Sequence, residues 1–320
     1  MVAKSSSKVA VYAALIGNVL VAITKGIAAA WTGSSSMLSE AVHSLVDTVN
    51  EVLLLYGMHR SGQRADPGHP LGHGRELYFW SFIVALLIFA LGAGVSIFEG
   101  IGHILAPATV SDPIVNYVVL GLAFLFEASS WTVSLRQFRK AKGELGYAEA
   151  FRRSKDPPSF MVLFEDSAAL IGIVLAAIGT FASASLGMPV MDGAASILIG
   201  VVLALTSMLL ARESKSLLIG ERADGGLSDA ILRLASAEAC IVRAHGLFTV
   251  QLAPDQVVAA LSVQFQPELK TAQIEAAVLG LERRLREAHP EVVSLLVKPQ
   301  AEATWRAEDA QLEPDTESSP

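Results

Sequence analysis

The stretch Ser36-Met-Leu-Ser-Glu-Ala-Val-His43-Ser-Leu-Val-Asp47-Thr-Val-Asn-Glu-Val-Leu-Leu-Leu-Tyr56 reads as a membrane helix, yet it carries a histidine and a carboxylate four residues apart. Residues at i and i+4 share one helix face, so a neutral imidazole and a carboxylate there can close on one cation. An Asp at the centre of a membrane helix costs about 2.5–3.5 kcal/mol on translocon scales, so ionisable groups in such segments mark function. Glu40, His43 and Asp47 fall at i, i+3 and i+7 and line one stripe. The stretch therefore points to a helical membrane bundle that handles a divalent cation.

Composition agrees with a multi-span chain. Of 320 residues, 52% are hydrophobic and 17% charged, and the mean hydropathy is +0.49. A single cysteine, Cys240, excludes an intrachain disulfide and a cysteine-rich metal site. The net charge is −7, and residues 212–320 hold 17 Asp/Glu against 11 Lys/Arg. That acidic part argues against a nucleic-acid partner, which requires a basic face. The polar start, residues 1–8, leads into an apolar run read as a retained first span. No Arg-rich transit peptide is visible, so the expected address is a bacterial inner membrane.

Six apolar segments approach or exceed the roughly 20 residues that cross a bilayer. They run over 9–31, 37–58, 77–103, 114–136, 160–183 and 193–211. Lys4 and Lys8 precede the first. Arg60, Arg64 and Arg75 follow the second, and Arg136, Arg139, Lys140, Lys142, Arg152, Arg153 and Lys155 follow the fourth. The alternate loops, 32–36, 104–113 and 184–192, carry no Lys or Arg. The positive-inside rule then places both termini and the basic loops in the cytoplasm. Residues 212–300 read as helix, strand, strand, helix, strand, a small two-layer α+β domain of ferredoxin-like type. From Ala301 the acidic, polar tail to residue 320 is expected to be disordered.

Span five supplies Glu165 and Asp166, which point about 100° apart on a helix. Asp166 precedes the small residues Ser167, Ala168 and Ala169, which allow close helix approach, and is the favoured ligand, with Glu165 as second candidate. One neutral His and two carboxylates balance a dication. Mixed N and O donors suit Zn²⁺, while Mn²⁺, Fe²⁺ and Co²⁺ stay open. In the loop after span two, Asp66, His69 and His73 have the spacing of a second metal site; the plainer reading is a turn whose histidines meet Glu76 or the backbone. Asn18, Lys25 and Glu127 are further intramembrane polar groups, Lys25 expected either to snorkel or to pair with a carboxylate. Asp192 is the expected N-cap of the last span.

Three stretches carry a resemblance: Thr32-Gly-Ser-Ser-Ser-Met-Leu-Ser-Glu-Ala-Val-His43-Ser-Leu-Val-Asp47, His69-Pro-Leu-Gly-His73-Gly-Arg-Glu, and Asp192-Gly-Ala-Ala-Ser-Ile-Leu-Ile-Gly. With them the chain resembles the cation diffusion facilitators over nearly all of residues 10–300. Arg153-Ser-Lys-Asp-Pro and Ala211-Arg-Glu-Ser-Lys-Ser-Leu-Leu-Ile-Gly-Glu look like the branch containing the animal mitochondrial zinc exporter and its bacterial relatives. The resemblance implies a six-span, Y-shaped homodimer in the lipid bilayer that exchanges Zn²⁺ for H⁺, with a cytoplasmic dimerising domain. His43 and Asp47 match the family's ligand pair in span two, and Asp166 matches the last ligand of span five. The remaining family ligand falls on Val162, which cannot coordinate. The site then has three protein ligands plus water, or a fourth from Glu165 or Glu40. Family members also often bind metal at the loop matched by Asp66, His69 and His73. Two other classes stay in view: an intramembrane metallohydrolase, which lacks a His-Glu-x-x-His motif, and a metal-sensing membrane scaffold.

Overall fold

The computed structural model describes residues 3–107 and 112–306, with side chains from residue 15 onward except 16, 17 and 141. The chain divides into two compact units, Met1–Lys215 and Ser216–Pro320.

The first unit is helical. Its elements are α1 (Ala3–Thr32), α2 (Ser35–Ser61), α3 (Glu76–Leu87), α4 (Gly94–Leu105), α5 (Pro113–Lys142), α6 (Tyr147–Arg153), α7 (Pro157–Ser185) and α8 (Val190–Ile219). A π-helical stretch, Ile88–Ala93, joins α3 to α4 into one continuous 30-residue rod. The long third apolar run of the sequence is therefore helical throughout, with no interfacial turn. Prolines open α5 and α7, where the missing N–H costs nothing.

Among the described residues, four helices are long and apolar enough to cross a membrane: Glu76–Leu105, Pro113–Lys140, Pro157–Ser185 and Val190–Ile219. The described apolar part of α1, Asn18–Thr32, is shorter. Helix α2 has 27 residues, and its Glu40, Asp47 and Glu51 lower its hydropathy. The unit is apolar outside and buries polar groups within its helical core. Ile27, Trp31, Phe98, Phe126, Ile178 and Leu205 are exposed, while Ser36, Ser39, Asn50, Ser96, Asn116 and Ser196 are buried. Water would reverse that order; lipid favours it, because helices in lipid associate through small and polar residues.

Small residues set the tightest approach. A Cβ on Gly100 would stand 2.6 Å from the Gly193 carbonyl, and one on Gly193 would stand 2.8 Å from that of Gly100, so α4 and α8 touch backbone to backbone. Nearby, Ser196 Oγ donates to the Ser96 carbonyl at 2.7 Å and bonds Ser39 Oγ, joining α2, α4 and α8.

Asp192 does not cap its own helix. Its carboxylate accepts from Ser34 Oγ at 2.8 Å, Ser35 N at 2.6 Å, Ser36 N at 3.2 Å and Ser36 Oγ at 2.5 Å. It thus caps α2 from α8, meeting donors that a helix N-terminus leaves free. Ser34 adds the ordinary cap, accepting from Met37 N at 3.2 Å.

The second unit holds α9 (Gly225–Ser236), β1 (Ile241–Ala253), β2 (Gln256–Phe265), α10 (Thr271–Ala288) and β3 (Val292–Pro299), the expected order of elements. The three-stranded sheet runs β1-β2-β3, with β1 antiparallel and β3 parallel to β2. A parallel neighbour requires a crossover, which α10 supplies. Val257, Ala259, Leu261 and Val263 alternate into the core, where they join Ile231 and Ala235 of α9 and Leu281 and Leu285 of α10.

Part of the expected disordered tail is ordered: residues 302–306 are helical. They return to edge strand β1, where Glu302 pairs with Arg243 at 2.7 Å. Trp305 lies 5.2 Å from His245, ring to ring, and presses on Gly246. Gly246 has φ +61° and no room for a side chain. The rest of the expected tail, 307–320, lies outside the described residues.

His245 is buried, with neither ring nitrogen hydrogen-bonded among the described residues. Burial pushes its pKa down; Glu302 opposes the shift and Arg243 adds to it. The folded unit therefore favours the neutral ring. Its stability is full above the unfolded-state value of about 6.5 and falls as pH drops from there toward the lower folded value. In thermal melts of the intact chain, His245→Gln should flatten the pH dependence of this unit below neutrality.

Candidate metal site

Helix α2 carries Glu40, His43 and Asp47. His43 is buried, and its Nδ1 lies 3.3 Å from Asp47 Oδ1. Among the described residues, neither His43 nitrogen nor that oxygen completes a hydrogen bond. Leaving a buried donor or acceptor without a partner costs about 1–3 kcal/mol, so such atoms call for an explanation.

Glu40 is placed differently. Its Oε2 accepts from Lys25 Nζ at 2.9 Å, and both side chains are fully buried. Lys25 also donates to Ser44 Oγ at 2.8 Å. The expected carboxylate partner of Lys25 is thus Glu40. Gly172 of α7 lies against the other Glu40 oxygen, and a Cβ there would collide with it. This ion pair ties α1 to α2 and leaves Glu40 with a cation already beside it.

On α7, Glu165 and Asp166 are both buried. Glu165 Oε1 accepts from Asn50 Nδ2 of α2 at 3.0 Å. Asp166 Oδ2 accepts from Ser130 Oγ at 2.9 Å and Ser134 Oγ at 3.4 Å, two positions one turn apart on α5. Trp131 Nε1 donates to Ser167 Oγ at 2.9 Å and fixes the same helix pair. The two carboxylates thus face different neighbours, as their 100° offset requires. Asn18 Nδ2 donates to Glu51 Oε1 at 2.8 Å, bridging α1 and α2. The sequence reading missed Ser130, Ser134, Asn50 and Glu51. Only Glu51 carried a signal, standing four residues beyond Asp47.

The loop between α2 and α3 is compact. Asp66 Oδ1 accepts from Gly68 N at 2.8 Å and His69 N at 2.7 Å, an Asx-type turn. His73 Nε2 lies 3.0 Å from Asp66 Oδ2, and His69 Nδ1 lies 3.3 Å from Asp66 Oδ1. The histidines therefore meet Asp66 rather than Glu76, which Arg60 binds at 2.9 Å and Trp80 Nε1 at 2.9 Å. Among the described residues, Asp66, His69 and His73 are the one group of three or more His, Cys, Asp or Glu whose ligand atoms all lie within 4.8 Å of one another. His43, Asp47, Glu165 and Asp166 are not drawn together that closely.

Residues 11–219 match the model of the cation efflux transmembrane domain. With its four membrane-length apolar helices, this makes the chain an integral membrane protein. The proton-coupled zinc antiporter SLC30A9, mitochondrial, of Xenopus laevis is 32% identical over 274 residues, 85% of this chain and 49% of that protein. Metal tolerance protein C4 of Arabidopsis thaliana is 34% identical over 197 residues, 61% of this chain and 43% of that protein. The cation-efflux pump FieF of Cronobacter sakazakii is 24% identical over 285 residues, covering 89% of each. The chain spans about half the length of the first of these.

Two outcomes are expected. Removing one member of a buried ion pair costs about 3–5 kcal/mol, whereas an apolar replacement of both is often neutral. Lys25→Met should lower the melting temperature sharply, and Lys25→Met with Glu40→Leu should recover most of the loss. The hydrogen bond from His73, then the backbone bond from His69, holds the Asp66 carboxyl well below the usual carboxylate range. Loop order should therefore persist through the ordinary Asp value of about 3.9 and fail only at lower pH. Hydrogen exchange at Gly68 and His69, compared with Asp66→Ala, measures this.

Proposed function

Because the chain belongs to the cation efflux family, we propose that it exports a divalent cation, Zn²⁺ first, in exchange for protons. The carrying observation is His43: a buried imidazole whose nitrogens have no hydrogen-bond partner among the described residues, 3.3 Å from a carboxylate on the same helix. The relatives, among them a proton-coupled zinc antiporter and a cation-efflux pump, support transport over the hydrolase and scaffold alternatives.

In this reading the membrane unit has six spans, with α1 and α2 added to the four apolar helices. Both termini lie on the side of the basic loops, and the protein works as a homodimer. His43 and Asp47 of α2 and Asp166 of α7 hold the ion. Glu165 supplies the fourth ligand or passes protons, since Lys25 already neutralises Glu40. The charge sum supports the ion: a neutral imidazole and two carboxylates match a dication. Ligands must lose their protons to bind metal, so metal and protons compete for the same atoms. Alternating access turns that competition into exchange: the site releases metal where protons are abundant and reloads where they are scarce. Asp66, His69 and His73 hold a second ion outside the membrane segment, where the imidazoles and the ionised Asp66 already converge.

The test is Zn²⁺ flux in proteoliposomes under an imposed pH gradient. Gradient-driven flux in the wild type should drop to that of protein-free vesicles in Asp47→Ala and in Asp166→Ala, while Val162→Ala transports normally. Wild-type flux in Asp166→Ala would overturn the site. No flux of Zn²⁺, Mn²⁺ or Fe²⁺ by folded, dimeric protein would overturn the transport reading.

A further inference from the structure

At the end of the bundle where α5 stops and α6 crosses toward α7, a cavity of about 690 Å³ opens between α5, α7 and α8. Its wall is apolar: Phe138 of α5, Leu163 and Phe164 of α7, and Leu209 of α8. Arg152 and Arg212 also line it, both exposed. The floor is firm, because Phe151 packs on Phe164 at 5.0 Å and Phe138 stacks on Tyr147 at 6.3 Å.

Other basic residues of α5 and α6 are already paired. Arg139 Nε donates to Tyr147 Oη at 2.8 Å, Lys142 Nζ donates to the Leu145 carbonyl at 2.8 Å, and Arg153 pairs with Glu149 at 2.7 Å. Arg152 and Arg212 have neither ion pair nor hydrogen bond among the described residues. The acidic lining residue, Glu213, has an interaction of its own. Two uncompensated guanidinium groups thus stand over an apolar trough on membrane-length helices. Guanidinium groups grip phosphate through paired N–H bonds. Basic pockets between membrane helices take anionic lipid headgroups.

We propose that this cavity binds an anionic phospholipid, with its phosphate between Arg152 and Arg212 and an acyl chain along Phe138, Leu163, Phe164 and Leu209. Free phosphate shares the headgroup chemistry but would leave the wall unused. A zwitterionic lipid would fill the wall, but its own cation would offset the phosphate.

Native mass spectrometry of the full chain, incubated with phosphatidylglycerol, with phosphatidylcholine of the same acyl chains, or with inorganic phosphate as competitor, tests this. Wild type should retain phosphatidylglycerol over phosphatidylcholine by about tenfold or more. Arg152→Gln with Arg212→Gln should abolish that preference. Arg153→Gln, whose parent side chain is already paired, should keep it. Leu209→Trp, which fills the trough without changing charge, should lower phosphatidylglycerol retention and serves if the double variant fails to fold. Equal retention of both lipids by wild type, an unchanged preference in the double variant, or unchanged retention in Leu209→Trp would overturn the proposal. Displacement of phosphatidylglycerol by inorganic phosphate would overturn it too, in favour of a free-anion site. None of these readouts depends on metal flux.

Discussion

The Asp192 carboxylate holds the first turn of α2, and the candidate site depends on where α2 stands. A carboxylate buried in a membrane bundle needs donors, and a helix N-terminus has backbone N–H groups without acceptors. Each satisfies the other through the hydrogen bonds from Ser34, Ser35 and Ser36. The contact joins residues 156 to 158 positions apart. It fixes the end of α2 from which Glu40, His43 and Asp47 follow. Ser39 to Ser196 and Lys25 to Glu40 repeat the pattern further along the helix.

These contacts sort the buried ionisable groups. Glu40 and Asp192 serve the architecture: one neutralises a buried lysine, and the other caps a helix. Glu165 and Asp166 are oriented by an amide and by hydroxyls, which are neutral donors and bring no opposing charge. Among the described residues, His43 completes no hydrogen bond, although Asp47 stands beside it. An imidazole left so, beside one carboxylate and in a bundle with two more, is suited to a ligand role in a way that a paired carboxylate such as Glu40 is not. The Asp66 loop shows the opposite regime, in which an exposed carboxylate is ordered by its own backbone and by two imidazoles.

The second unit is ordinary by comparison, a sheet whose alternating strand meets two amphipathic helices. Its particular feature is at edge strand β1. Gly246 bends to positive φ and has no side chain, and Trp305 takes the space. The order of residues 302–306 comes from that fit and from the Arg243–Glu302 pair. Both are contacts that local composition cannot report.

Sequence alone determined the membrane class, the order of helices and strands in the second unit, and the short list of ionisable residues from which a site must be drawn. The reason is that hydrophobic periodicity and the cost of charge in lipid act locally, and both are written along the chain. Tertiary structure decided the partners. Helix α7 presents Glu165 to Asn50 and Asp166 to Ser130 and Ser134, Lys25 goes to Glu40, and Asp192 caps α2 instead of its own helix. Each of these joins residues on different helices. A serine or glycine has no local pattern to announce that role, because its meaning lies in the element that packs against it.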